Sequence, residues 1–462
     1  MADSLLVPVV LFAYLAVQLG IGVWAARRVH SEADYLVAGR SLGPLLATFS
    51  LFATWFGAET VMGASAAIAE EGLSGGRADP FGYTLCLVLM AVLLAGRLRE
   101  REYVTLGDFF RQRFGPKVEK GAVAIMVPTS LIWAAAQLLA FAQVIAVISG
   151  VDTTLALVGA TTLVILYTVL GGLMGDVVTD VVQGGILIVG LVVLLVGVFE
   201  AAGGPAAALA RIEASQLRLV APGESFWARL DLWAVPVLGS LVSQEALARM
   251  MAARSPAVAR RSSYAASLLY LAVGAIPVTI ALVGTHLAPE IGHRDEFLPT
   301  LARMVLHPMA FALLMGALVS AILSTVDSTL LTVASFVSHT FVVPARPSMD
   351  EAGKVRVSRA MVVVAGIAAA LIAREGDSIF DLVVFASSFG TAGILITVVV
   401  GLWSRWGGPV TAGATLIVGA GVTLAASRIE AVSAPFLLAV VCAAITYGIV
   451  GAWERTRLRP ET

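Results

Sequence analysis

The chain has 462 residues, of which 59% are hydrophobic and 13% charged, and its mean hydropathy is +0.92. A water-soluble protein carries about a quarter charged residues, so the composition excludes a soluble domain and predicts an all-α polytopic membrane protein. The net charge of −1 offers nothing to nucleic acid, and two cysteines in apolar runs, Cys86 and Cys442, make no disulfide framework.

In chain order, apolar runs of the roughly 20 residues that a bilayer needs fall at 4–26, 44–69, 80–97, 121–149, 153–172, 177–200, 230–249, 262–287, 308–342, 357–374, 379–403, 408–427 and 433–453. The first has no basic segment before it and Arg27-Arg28 after it. It therefore reads as a first span with its N-terminus outside, not a cleaved signal. With that orientation, 22 of the 30 lysines and arginines fall on the inner side. This asymmetry is the positive-inside rule, and it supports an odd number of spans with the C-terminus cytoplasmic. The expected location is the plasma (inner) membrane.

Two runs carry breakers at mid-span. TWFGAETVMG places Gly57, Glu59 and Gly63 inside the second. Pro236 and Gly239 precede Ser240, Ser243, Gln244 and Glu245 in the seventh. Proline removes a helix hydrogen bond and glycine tolerates an unwound backbone. Unwound backbone at membrane depth survives only within protein or around a cavity. The two interruptions lie five spans apart, the pattern of an inverted-repeat transporter. Ordinary proline and glycine in membrane helices are the bland alternative.

Polar residues recur at helical spacing in two places. Asp176, Asp180 and Gln183 share one face of the sixth run. In the ninth, Ser320, Ser324 and Ser328 share a face, with Thr325 and Asp327 beside them. Such groups in hydrocarbon need a partner helix, water or a cation. A sodium ion is the expected occupant, and Asp180 lies either on an ion path or at the interface, paired with a basic loop residue. Trp55 and Trp133 lie too deep for an interfacial belt. With Tyr83, they either fill the core or wall a solute cavity whose π faces favour a cation.

These segments, ATWFGAET, YTVLGGLMGDVVTDVVQ (167–183) and SAILSTVDS (320–328), resemble the solute:sodium symporter family over about residues 4–453. The resemblance implies a LeuT-like inverted repeat of five plus five helices. Residues 4–42 would form an extra N-terminal helix and loop, 43–200 and 230–403 the repeats, and 408–453 two further helices. It also implies a sodium site made by the carbonyls of Ala53, Phe56 and Ala321 and the hydroxyls of Ser324 and Thr325. Asp180 would mark a second ion site or path. Within the family the sequence is most similar to the high-affinity choline transporter branch, through GY at 82–83, YVTLGDFF at 103–110 and WAAA at 133–136. Three cage positions of that branch match as Trp55, Tyr83 and Trp133. Ser243 stands where the branch has tryptophan, and Glu59 where it has glycine; a three-walled cage with a carboxylate would suit a smaller amine, or an amino-group solute paired to Glu59. Gln244 would contact solute.

The function implied is sodium-coupled import of a small organic solute by alternating access. The solute is an amine, a quaternary amine or an amino acid. Sodium is the coupling ion, with no organic cofactor and no obligatory protein partner. A proton-coupled carrier of the same fold is the alternative, since Asp180 and Glu59 could bind protons. A transporter-like sensor without flux ranks lower, because only nine residues follow position 453. An enzyme is not expected. The five histidines (30, 286, 293, 307 and 339) are scattered, and His339 lies about four helical turns from Ser324.

Overall fold

The computed structural model describes residues 16–57, 59–288, 297–376, 379–429 and 431–457. The predicted first span is seen only from residue 16, and residues 4–15 lie outside the described residues, as does the side chain of Ser320. Among the described residues the architecture is helical throughout, with one isolated bridge between Leu42 and Ala253.

The principal helices are α1 (Pro44–Trp55), α2 (Ala64–Glu71), α3 (Tyr83–Met90), α4 (Pro116–Ser149), α5 (Thr153–Ala201), α6 (Phe226–Leu238) and α7 (Gln244–Ala252). They continue as α8 (Pro256–Gly284), α9 (Pro308–Val337), α10 (Glu351–Arg374), α11 (Ile379–Ser388), α12 (Thr391–Trp403), α13 (Pro409–Ala426) and α14 (Pro435–Arg457). Their starts follow from the sequence. Proline stands first in α1, α4, α8, α9 and α13, where its missing N–H costs nothing and its fixed φ suits a helix. Ser255 also caps α8 by accepting from the Val258 amide at 3.2 Å.

By length and apolarity, eight helices qualify as membrane spans, or ten when two bent pairs are each counted as one. Predicted spans five and six lie on one 49-residue helix, α5, which is broken at Gly172 (φ 56°, ψ −167°). Glycine is required there twice over, since the φ is left-handed and a Cβ would sit 2.6 Å from Tyr35 Cδ2. The predicted seventh span comprises α6 and α7, joined by a 3₁₀ turn at Gly239–Val242. Neither arm is long enough to qualify alone, because the polar Ser243–Glu245 segment divides them.

Both interruptions expected from the sequence are present. The arms on either side of residue 57 meet at 56°. A further bend of 41° separates α11 from α12, at a Phe389-Gly390 turn that the sequence reading placed inside a single span. The hydroxyl-rich α9 is the central helix. It is 82% buried over its apolar window, against 28% for α14. It packs on α4, α5 and α10, so its polar stripe faces protein and not lipid.

Candidate functional site

The first break follows from TWFGAET. Phe56 leaves the helix (φ −79°, ψ 71°). The Gly57 amide, which in a continued helix would bond the Ala53 carbonyl, turns to Trp55 O at 2.9 Å. Ala53 and Phe56 are buried here. The neighbouring helix comes very close, and a Cβ on Gly57 would stand 2.7 Å from Thr325 Oγ1 and 3.4 Å from Gln137 Oε1. Thr325 donates to Ala321 O at 3.2 Å, which leaves its hydroxyl lone pairs toward the break. Gln137 Oε1 is buried without a hydrogen-bond partner. An orphaned carbonyl oxygen beside a hydroxyl and a loosened backbone is an oxygen-rich point that suits a hard cation. Gln137 was not anticipated from the sequence, where it is one polar residue in WAAAQLL. Gly57→Ala should raise the sodium concentration for half-maximal uptake by at least about tenfold, because displacing one ligand by a fraction of an ångström weakens hard-cation coordination. Sodium titrations of uptake check this.

Ser324 does not join that point through its hydroxyl. It donates to Asp180 Oδ1, and Ser50 donates to Asp180 Oδ2. Adjacent residues on a helix point about 100° apart, so Ser324 and Thr325 serve two different polar pockets. The second pocket holds Arg249, which is 1% exposed. Its guanidinium lies 2.5 Å from Asp176 Oδ2 and 3.4 Å from Asp180 Oδ2. It also donates to Ser328 Oγ at 2.5 Å, Ser50 Oγ at 3.0 Å and Glu245 O at 3.0 Å. Asp180 is therefore met by a cation from within the bundle. One arginine spans α1, α5, α7 and α9, with Asp176 as its nearer partner. In the sequence Arg249 reads as the first of four loop cations that end at Arg261. Its only internal signal is its place in the apolar string LARMMA.

Glu59 and Tyr83 were expected at a solute cage, and they sit behind it. Tyr83 Oη donates to Glu59 at 3.2 Å, and the Tyr83 ring lies 5.4 Å from that of Trp55. Asp79 joins them. It accepts from Thr60 and, at 3.1 Å, from Tyr270 Oη, while its Oδ1 is buried without a partner. Glu59 and Asp79 are 2% and 1% exposed, and hydroxyls of Tyr83, Thr60 and Tyr270 donate to them.

A cavity opens on the other side of Trp55, between the two broken helices. Its lining includes Trp55, Ser130, Trp133, Ser240, Ser243, Gln244, Glu245 and Ser387. Trp55, Trp133, Ser243 and Gln244 thus line one cavity, and Tyr83 and Glu59 are not among its lining residues. Gln244 is partly committed elsewhere, because its Oε1 accepts from the Leu106 amide at 2.8 Å. The cavity's carboxylate is Glu245, which accepts from Ser130 at 2.9 Å and Ser243 at 2.7 Å. At the opposite end of α9, the ring nitrogens of His339 lie 3.1 Å from Glu32 Oε1 and 3.0 Å from Asp108 Oδ1. Burial alone would raise the Asp108 carboxyl, but the hydrogen bonds from His339 and from the Thr105 and Val104 amides hold it below the usual carboxylate range.

Two interrupted helices facing a central hydroxyl-rich helix, with an oxygen-lined point at one break and a cavity between, define a polytopic membrane transporter. The fold is shared with the solved substrate-bound, outward-open state of a Na⁺-coupled sialic acid symporter. The TM-score is 0.84 at 18% identity, covering 97% of this chain and 98% of that one. The sodium:solute symporter family profile matches residues 35–419, and the chain belongs to that family. It is 28% identical to the high-affinity choline transporter of Caenorhabditis elegans over 414 residues, 83% of this chain and 71% of that protein. It is 31% identical to the sodium/proline symporter of Escherichia coli over 431 residues, 88% of this chain and 84% of that protein. The protein is accordingly a sodium-coupled symporter of a small organic solute, a multi-pass plasma-membrane protein of LeuT-like fold and not an enzyme.

Proposed function

We propose that sodium binds at the first break, held by the carbonyls of Ala53, Phe56 and Ala321 and by Thr325, with Ser324 linking this point to Asp180 as a second ion site or path. The solute sits in the cavity between Trp55 and Trp133, beside Ser243 and Gln244. The segments 43–200 and 230–403 are the two repeats that rock about this site. The N-terminus lies outside and the C-terminus in the cytoplasm, a reading supported by the lysine and arginine asymmetry. The observation that carries the sodium assignment is the convergence of Thr325 Oγ1 and the unpartnered Gln137 Oε1 on Gly57. The relatives named for choline and for proline transport favour a solute bearing an amine.

The test is uptake into proteoliposomes. A sodium gradient should drive solute accumulation that an equal potassium gradient does not. The double variant Ser324→Ala/Thr325→Ala should raise the sodium requirement by about tenfold or more, since it removes one oxygen ligand at the break and the hydroxyl that links the break to Asp180. Unchanged sodium dependence in that variant would move the ion site elsewhere. The paired carboxylates Glu59 and Asp79 favour one second reading, in which protons substitute for sodium. Uptake that persists without sodium and collapses with a protonophore would select it.

A further inference from the structure

Glu245 is the second residue of α7, three positions past the 3₁₀ turn that divides the second broken helix. It is 6% exposed, and both carboxylate oxygens are engaged, Oε1 by Ser130 and Oε2 by Ser243. Each carboxylate oxygen has two lone pairs, so these bonds orient the group and leave acceptor capacity on each oxygen. The described cavity lining holds no lysine, arginine or histidine. Arg249, one turn on, gives its hydrogen bonds to the Glu245 backbone carbonyl and to the Asp176–Asp180 pocket, not to the Glu245 carboxylate. The rest of the wall is uncharged, with Trp55, Met126, Trp133, Phe336 and Ile394 beside serine and threonine hydroxyls. A lone carboxylate on an uncharged wall at membrane depth is costly without a cation to meet it.

We propose that Glu245 is the counter-ion of the solute and restricts it to small ammonium compounds that carry at least one N–H. This assignment rests on the reading of the cavity as the solute site. An ammonium N–H placed on a carboxylate oxygen forms a short charge-assisted hydrogen bond. The indoles of Trp55 and Trp133 then face the remaining substituents of the cation. A quaternary ammonium has no proton to give, and its methyl shell holds the charge away from Glu245, so it keeps only the aromatic contribution. Ser243, in place of a bulky aromatic residue, serves to aim the carboxylate. The role expected of Glu59 passes to Glu245, because Glu59 is turned away toward Tyr83.

The experiment uses the purified full-length protein in detergent and in proteoliposomes. The probes are ethanolamine, its mono- and dimethyl derivatives, choline, and the uncharged carbon isostere of choline, each in sodium and in potassium. In sodium, the probes with an N–H should stabilise the protein at concentrations at least about tenfold below choline, and the isostere should not stabilise it, as the loss of a charge-assisted hydrogen bond requires. Glu245→Gln keeps the side-chain shape and can still accept from a serine, but it removes the charge. It should level the series to within about twofold, the spread left by uncharged contacts, while the stabilisation by sodium alone persists. Glu245→Asp, which keeps the charge, should retain the ranking and serves should the glutamine variant fail to fold. An unchanged ranking in Glu245→Gln overturns the assignment, as does an isostere that binds as well as the amines. Sodium-driven accumulation of a neutral or anionic solute, insensitive to Glu245→Gln, overturns this assignment alone. If a sodium gradient accumulates no solute of any charge, the solute-site reading falls and this assignment with it.

Discussion

Arg249→Met is expected to abolish transport and to lower the melting temperature more than any other single change in the bundle. The guanidinium is 1% exposed and contacts groups on α1, α5, α7 and α9. Removing one member of a buried ion pair leaves its partners charged and unsolvated, at a cost of about 3–5 kcal/mol. Here two carboxylates, Asp176 and Asp180, would be stranded together. Arg249→Lys should rescue little, because an ammonium cannot reproduce the planar fork that meets Asp176 and the serines at once. The triple variant Arg249→Met/Asp176→Asn/Asp180→Asn should regain much of the stability without regaining sodium-driven uptake. Thermal unfolding of the purified variants, with and without sodium, checks both statements. Full uptake by Arg249→Met would remove the arginine from the machinery.

The second large effect separates the two aspartates. Arg249 stands 2.5 Å from Asp176 but 3.4 Å from Asp180, so one positive charge is matched chiefly to Asp176. With both carboxylates ionised, Asp180 is the one less closely met by the arginine, and it faces Ser324 and Ser50. Asp180→Asn retains an oxygen for those hydroxyls and loses the charge. It should weaken sodium binding by about a hundredfold, equivalent to about 2.7 kcal/mol, while leaving the fold largely intact. Asp176→Asn removes the arginine's main partner and should act chiefly on stability, with a smaller change in sodium affinity. Sodium titrations of thermal stability and of uptake, run on both variants, distinguish them. Equal sodium defects in the two would show that the charge is shared across the pair.

Much of this bundle is legible in the sequence because hydrocarbon imposes simple demands. Long apolar runs bounded by Gly-Pro or Ser-Pro mark the helices, and the clustered breakers in TWFGAET and VPVLGSLVS mark the interruptions. Spacing of four also places Asp176 with Asp180, and Ser324 with Ser328, on common faces. It does not say which neighbour each face meets. Thus Ser324 and Thr325, adjacent in the chain, part company across α9. Tyr83 and Glu59 retreat behind Trp55, while Glu245 takes the cavity wall. Arg249 was hidden for a different reason. A cation at the end of an apolar run looks like a loop residue until a partner on another helix is found, and Asp176 lies 73 positions earlier. Gln137 likewise needs the approach of Gly57 before its carbonyl acquires a meaning.

The bridge between Leu42 and Ala253 has a mechanical consequence. The Leu42 amide donates to Ala252 O at 3.1 Å, and Leu42 O accepts from the Arg254 amide at 2.9 Å. These bonds fasten the entry of α1 to the exit of α7, so those two half-helices form a single clamped strut. The clamp turns two independent hinges into a lever with one fulcrum, so a push delivered at either joint is felt at both.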